Sequence, residues 1–344
     1  MRYPDFLKEN GSIGIIAPSF GCTVEPYGTL FGEAVSFFRS LGYDCIEGPN
    51  CRRSDGIGKS TSAEKCAAEI NNFFIDGRSD VIISCGGGET MCEDLSYVDF
   101  EGIKKAVPKW FMGYSDNTNL VFTLPVLCDT AAVYGQHFPT FGQKPLHESL
   151  CDAIGLLKGE KLKFRNYAEW EKESLKSAEK PFVTFNCTEK YSSFLGGSAA
   201  GKTETAFSGR LIGGCLDILS ILCGTRFDKT AEFAGRYRED GTVWFLESCD
   251  FTSVGARRAL WGMKEAGWFE GCRGFIIGRP NLYDDESFGQ SVNGAFAEIL
   301  GGMGVPIVFN ADIGHRPPSM PIIAGAFAEV TASADRLEIN HILK

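Results

Sequence analysis

The first half of the chain alternates short, continuously apolar runs with stretches of helical spacing. That alternation leaves few folds open. GSIGIIAPS (11–19), DCIEG (44–48), DVIISCGGG (80–88), KWFMGYS (109–115) and TAAVYGQ (130–136) read as strands. Residues 27–41, SAEKCAAEINNFFIDG (62–77) and DNTNLVFTLPVL (116–127) read as helices between them. The second of these helices has a serine N-cap, Glu64 at a capping-box position and a closing glycine. Strands apolar on both faces, separated by helices, predict a parallel sheet covered on each side, with right-handed crossovers.

The second half changes character. RLIGGCLDILSILCGT (210–225) reads as a glycine turn opening an apolar helix, and TVWFLES (242–248) as a strand. GARRALWGMKEAG (255–267) and ESFGQSVNGAFAEILGG (286–302) read as helices. GFIIGRP (274–280), PIVFNADIGH (306–315), IIAGAFAEV (322–330) and RLEINHI (336–342) read as strands. The stretch between the halves contains RNYAEWEKESLKSAEKPF, which is polar and weakly periodic. A chain of 344 residues is too long for one ordinary core. The expectation is an α/β protein. Residues 1–157 form a doubly wound, mostly parallel, flavodoxin- or Rossmann-like domain. Residues 158–195 form a connector, and residues 196–344 a second, mixed α/β domain that is richer in β-structure.

Composition excludes several classes. The net charge of −10, from 34 basic and 44 acidic residues, is opposite to a nucleic-acid footprint. No apolar run reaches the ~18 residues of a membrane helix, and the N-terminus carries no signal pattern. The thirteen cysteines include no CxxC pair. Several, such as Cys85, sit inside apolar strands, which fits reduced buried thiols in a cytoplasmic protein. With no HExxH and no His/Cys cluster at ligand spacing, no metal and no cofactor are expected.

Four segments could carry acyl-transfer chemistry. In GYSDNTNL, Ser115 falls where a strand ends and a helix begins, either as a nucleophile on a sharp turn or as a helix cap. The next N–H, that of Asp116, lies at the helix N-terminus, where an oxyanion can be held. In SCGGGE, Gly87 and Gly88 leave the same sheet edge and offer unhindered N–H donors, or simply a tight turn. Glu247 ends an apolar strand, as a surface acid or as the orienting carboxylate of a histidine. His315, in GHRPPSMP, follows a strand, and a serine hydrolase needs such a base. Of the four histidines, His137 in YGQHFPTFG is the competing base, while His147 and His341 read as surface positions. Trp170 in the connector is a lid residue stacking on a ligand or an anchor for the segment. GGSAAGKT (196–203) satisfies a phosphate-loop pattern, but too few residues follow it for the helix such a loop opens. Cys215 in GGCLD is a further thiol near a glycine turn.

Taken in order, GYSDNTNL, LIGGCLDIL, WFLES, GFIIGRP and GHRPPSMPI resemble the LD-carboxypeptidase family of serine peptidases. This family trims murein tetrapeptides and includes the microcin-immunity (MccF-like) branch. The resemblance runs from GIIAPS to the C-terminal strands. It implies a Ser115–Glu247–His315 triad assembled from the two domains, with oxyanion donors from Asp116 and from Gly87 or Gly88. It also implies homodimers. Members that trim murein typically carry an Arg before the first glycine pair and an aromatic after it, where this chain has Cys85 and Gly88. The second pair, Gly213 and Gly214, is usually followed by Asn and here by Cys215. The first departure, the Trp170 segment and the region of His137 are more similar to the microcin-immunity branch. Trp170, His137 and Gly214 are therefore candidate substrate contacts. The implied substrate is a small peptide with a free carboxylate or an aminoacyl-nucleotide conjugate. A ligand-binding protein without catalysis, on the same scaffold, is the alternative.

Overall fold

The computed structural model describes residues 1–177, 179–188 and 193–344. The chain divides into two compact units. One comprises Met1–Lys161 with Glu173–Thr184, the other Leu162–Lys172 with Phe185–Lys344. The polar stretch read as a connector thus contributes to both.

In the first unit, β1 (Ser12–Ile16), β2 (Asp44–Glu47), β3 (Val81–Ser84), β4 (Trp110–Gly113) and β5 (Ala132–Tyr134) pair in the order β5-β4-β3-β1-β2, all parallel. Both β3 and β4 are buried along their whole length, which is why they read as unbroken apolar runs. Helices α1 (Tyr27–Ser40), α2 (Ala63–Ile75), α3 (Phe100–Lys105), α4 (Thr118–Cys128) and α5 (Glu148–Leu157) complete the unit. Chain order reverses between β1 and β3. In open parallel sheets, ligands bind beyond the carboxyl ends of the strands at such a switch point. The glycine turn after β3 leaves the sheet there, next to the turn that follows β4.

One local detail differs from expectation. Ser62 is the N-cap of α2 but makes no side-chain capping bond. Glu64 lies at the second helical position, one short of the place from which it could reach back to the cap.

The second unit is built on an eight-stranded sheet in the order β6-β16-β15-β8-β9-β10-β13-β7. Its strands are β6 (Lys163–Arg165), β7 (Leu195–Gly197), β8 (Glu204–Cys215), β9 (Thr242–Glu247), β10 (Cys272–Gly278), β13 (Pro306–Ala311), β15 (Phe327–Ser333) and β16 (Leu337–Ile342). The central β8-β9-β10-β13 run is parallel, and the remaining pairings are antiparallel. Helices α6 (Leu216–Leu222), α7 (Thr230–Arg236), α8 (Ser253–Glu265) and α9 (Val292–Leu300), the hairpin β11 (Glu286–Ser287)–β12 (Gln290–Ser291) and the short β14 (Ile322–Ala324) fill the connections.

Two expectations are corrected here. The pair Gly213 and Gly214 is not a helix-opening turn but the end of β8, with φ of +148° and +144°. A Cβ on Gly213 would stand 1.8 Å from the Phe245 carbonyl oxygen, so only glycine lets β8 pass β9 there. Residues 286–291 form a hairpin before the helix starts, because Phe288 and Gly289 both take positive φ. The GGSAAGKT run leads into β8 and not into a helix, so it presents no helix N-terminus to a phosphate.

The histidines also differ from expectation. His341, read as a surface residue, is 3% exposed. Its Nδ1–H donates to the Leu162 carbonyl at 3.0 Å, and its Nε2 accepts from the Ile323 N–H at 3.2 Å. β-Strand alternation places it on the inner face of β16. His147 is half-buried as the N-cap of α5, where its Nδ1 accepts from the Ser149 N–H at 3.1 Å. All thirteen cysteines are free thiols. Among the described residues no helix is long and apolar enough to cross a membrane.

Candidate active site

In the first unit the chain turns sharply as it leaves β4. Tyr114 is extended, at φ −141° and ψ −172°. Ser115 follows with φ +63°, and a short 3₁₀ turn, Ser115–Asn117, leads into α4. A left-handed serine costs about 1–2 kcal/mol and persists only when its surroundings hold it. Here the Ser115 N–H donates to the Tyr134 hydroxyl at 3.3 Å, and the Asn117 N–H to the Tyr114 carbonyl at 3.2 Å. Asn117 Nδ2 donates to the Gly86 carbonyl at 2.6 Å, tying this turn to the glycine turn after β3.

The Asp116 carboxylate points inward. It accepts from Ser19 Oγ at 2.5 Å, from the Met91 N–H at 3.0 Å and from Asn119 Nδ2 at 3.1 Å. Burial pushes its pKa up, against the lowering effect of these donors. The side chain is thereby pinned, and it is the backbone N–H of Asp116 that stands at the start of the helical segment.

The glycines after β3 stand in close quarters, tightest at Gly88. A Cβ on Gly87 would lie 2.9 Å from Ser115 Oγ. One on Gly88 would lie 2.1 Å from the Gly58 carbonyl and 2.2 Å from Ser19 Oγ. Their N–H groups belong to no strand or helix, as donors for a developing oxyanion must not. His137 shares this corner. Its ring stacks on Tyr114 with centroids 4.2 Å apart, and its Nε2 lies 3.0 Å from the Tyr114 carbonyl.

In the second unit, Glu247 ends β9 with no exposed surface. Its Oε2 accepts from His315 Nδ1–H at 2.9 Å. Gly314 makes this pair possible, since a Cβ there would stand 2.6 Å from the carboxylate. The Gly314 N–H donates to Ser319 Oγ at 3.1 Å and holds the loop in place. Burial alone would push the His315 pKa down, but the Glu247 charge and a hydrogen bond with Cys249 carry it well above 6.5. The Cys249 thiol is itself raised by burial, so it stays protonated and Glu247 is the charge that matters.

Cys215 ends β8 directly opposite Glu247 in the parallel register. Its thiol donates to Asp217 Oδ2 at 3.5 Å, and Asp217 also accepts the N–H groups of Cys249 and Asp250 at 3.0 and 2.9 Å. Burial and the Glu247 carboxylate push the Cys215 pKa well up, which makes it a poor thiolate nucleophile. The positions of Cys215 and Cys249 around His315 are what sequence reasoning missed. No local signal pointed to Cys215, because its segment reads as a turn opening a helix and only the structure makes it the end of β8. Gly214 lies beside Leu246 in the same register. Trp170 is 6% exposed. It packs on Tyr283 at 5.4 Å between ring centroids, under the Arg279 guanidinium at 4.5 Å.

The geometry thus gives a strained serine beside a glycine turn in one unit and a buried Glu–His pair in the other. Models of the LD-carboxypeptidase N-terminal and C-terminal domains match residues 13–135 and 208–330. The chain belongs to the LD-carboxypeptidase family. The two family matches take in Gly87, Gly88, Ser115 and Asp116 on one side, and Gly214, Glu247 and His315 on the other. His137 and Trp170 fall outside both. The microcin C7 self-immunity protein MccF of Escherichia coli, a curated relative, is 24% identical over 93% of this chain and 90% of its own. The crystal structure of an MccF-like protein from Bacillus anthracis superposes with a TM-score of 0.82 at 20% identity, over all of both chains. MccF in complex with aspartyl sulfamoyl adenosine gives 0.80 at 21% identity, over 98% of each. The described residues thus share the fold of these MccF structures, mixed α/β with a mostly parallel first sheet.

Proposed function

We propose that this protein is a serine hydrolase of the carboxypeptidase type, cleaving an amide in a small peptide or aminoacyl-nucleotide conjugate. The observation that carries the reading is Ser115, held at φ +63° between β4 and α4 with its hydroxyl against Gly87. An ordinary helix cap needs no such backbone. A nucleophile on a strand-to-helix elbow does.

In this reading Ser115 Oγ attacks the carbonyl carbon and His315 accepts the hydroxyl proton. The Asp116 N–H and that of Gly87 or Gly88 hold the tetrahedral oxyanion, worth roughly 3–4 kcal/mol per donor. His315 returns the proton to the leaving amine, and the C–N bond breaks. Water, deprotonated by His315, then attacks the acyl carbon, and His315 returns that proton to Ser115 Oγ as the ester bond breaks. Glu247 fixes the imidazole tautomer and stabilises the imidazolium. Among the candidate contacts, Trp170, His137 and Gly214 would touch substrate. A cytoplasmic homodimer completes the reading.

The substrate class is supported by the relatives, since MccF has been crystallised with aminoacyl sulfamoyl nucleosides. The test is hydrolysis of a panel comprising a murein tetrapeptide, other L,D-dipeptides and an aminoacyl-sulfamoyl adenosine. Wild type should cleave at least one, and Ser115→Ala should lower kcat by roughly 10⁶-fold with the fold intact. Activity retained by a clean Ser115→Ala preparation excludes the proposal. Loss of activity in His137→Ala but not in His315→Ala reassigns the base.

A further inference from the structure

The geometry points to a zinc site in the second unit, formed by Cys215, Glu247 and His315. One ligand atom from each lies within 4.8 Å of the others, the only such group found among the described residues. A thiolate, a carboxylate oxygen and an imidazole nitrogen are the three donor types zinc takes, at about 2.3, 2.0–2.2 and 2.0–2.1 Å. Atoms bound tetrahedrally to one ion at those lengths stand roughly 3.5 Å apart. A small inward adjustment, and slight parting of the 2.9 Å His315–Glu247 pair, therefore suffices.

The frame around the three donors is rigid. Cys215 and Glu247 face one another at the ends of adjacent parallel strands. Gly314 packs directly against the Glu247 carboxylate, where a Cβ would stand 2.6 Å from it. Asp217 holds both the Cys215 thiol and the backbone of Cys249. His315 keeps 15% of its side chain exposed, which leaves an approach for the ion. Nothing in the sequence spacing announces the site, because its ligands lie at 215, 247 and 315. On binding, the Cys215 thiol proton leaves to solvent, as does the second ring proton of His315 when it is an imidazolium. The ion occupies both members of the Glu247–His315 pair, so zinc would switch hydrolysis off. That consequence rests on the proposed function, whereas binding itself does not.

The experiment is equilibrium dialysis of the full chain against buffered Zn²⁺, with Co²⁺ absorption as a second readout. One Zn²⁺ per wild-type chain is expected, displaced by a chelator. Co²⁺ should show a thiolate charge-transfer band that Cys215→Ala lacks. Loss even of groups behind a ligand costs 10–100-fold in affinity, so Cys215→Ala and Glu247→Gln should each weaken binding at least about tenfold. Circular dichroism checks that both variants fold. The exposed Cys151 serves as the control, and Cys151→Ala should bind as wild type does. No stoichiometric zinc, or zinc bound equally tightly by Cys215→Ala, overturns the site. Zinc bound as expected by a protein that cleaves nothing leaves the site standing and removes the hydrolase reading.

Discussion

His315 Nδ1 stands 2.9 Å from Glu247 Oε2, and the carboxylate that accepts this bond has no exposed surface. A buried carboxylate so close favours the charged imidazolium over the neutral ring. The folded His315 pKa is raised, so the base form appears only as pH climbs past the ordinary value of 6.5. The acid limb of kcat/KM should accordingly lie above 6.5. Glu247→Gln should lower kcat about 10⁴-fold. Its His315 ring signal, followed by NMR among only four histidines, should titrate at lower pH than in wild type. An unchanged titration would show that Glu247 is not the controlling charge.

The left-handed backbone of Ser115 makes a stability prediction that is independent of substrate. Glycine adopts this conformation freely, whereas alanine does not. Ser115→Gly should therefore be more stable than Ser115→Ala by about 1 kcal/mol, after allowing for the extra entropy of an unfolded glycine. Paired thermal unfolding of the two variants measures it. Equal midpoints would mean the turn relaxes without strain.

Gly87→Ala places a methyl group 2.9 Å from Ser115 Oγ and 3.0 Å from its Cβ. Gly87 does not take a positive φ, so the substitution is a local crowding and not a backbone conflict. A misplacement of the nucleophile by about 1 Å costs on the order of 10²-fold in rate. kcat should fall by about that factor while the unfolding midpoint stays within a few degrees of wild type. Full activity in Gly87→Ala would separate this turn from the chemistry.

His341 makes the acid side of stability predictable. Burial lowers its pKa from 6.5 to about 4, against the raising effect of its bond to Leu162. Its folded pKa is below its unfolded one, so its contribution is complete above 6.5 and is lost as pH falls toward 4. The span corresponds to on the order of 3 kcal/mol. Unfolding midpoints taken between pH 7.5 and 4.5 should drop, and the slope should flatten in His341→Gln, which does not titrate there. An identical slope in the variant would locate acid sensitivity elsewhere.

What the sequence determined by itself was the alternation of apolar strands and helices. With it came the placing of Ser115, Glu247 and Gly87 at strand ends and of His315 in the loop after a strand. Those are local properties, because periodicity and turn residues act within a few positions of the chain. The same local reading erred where contacts between distant segments decide. Gly213 and Gly214 continue a strand because β9 lies against them, and His341 is buried because the segments of Leu162 and Ile323 close on its ring. Only the tertiary structure gave Ser115 its positive φ, held by the bond from its N–H to the Tyr134 hydroxyl and by the bond from Asn117 to the Gly86 carbonyl. Only the tertiary structure set Cys215 opposite Glu247 and brought His315 onto both. Strand register and loop packing join residues tens of positions apart, and no spacing within one segment encodes that.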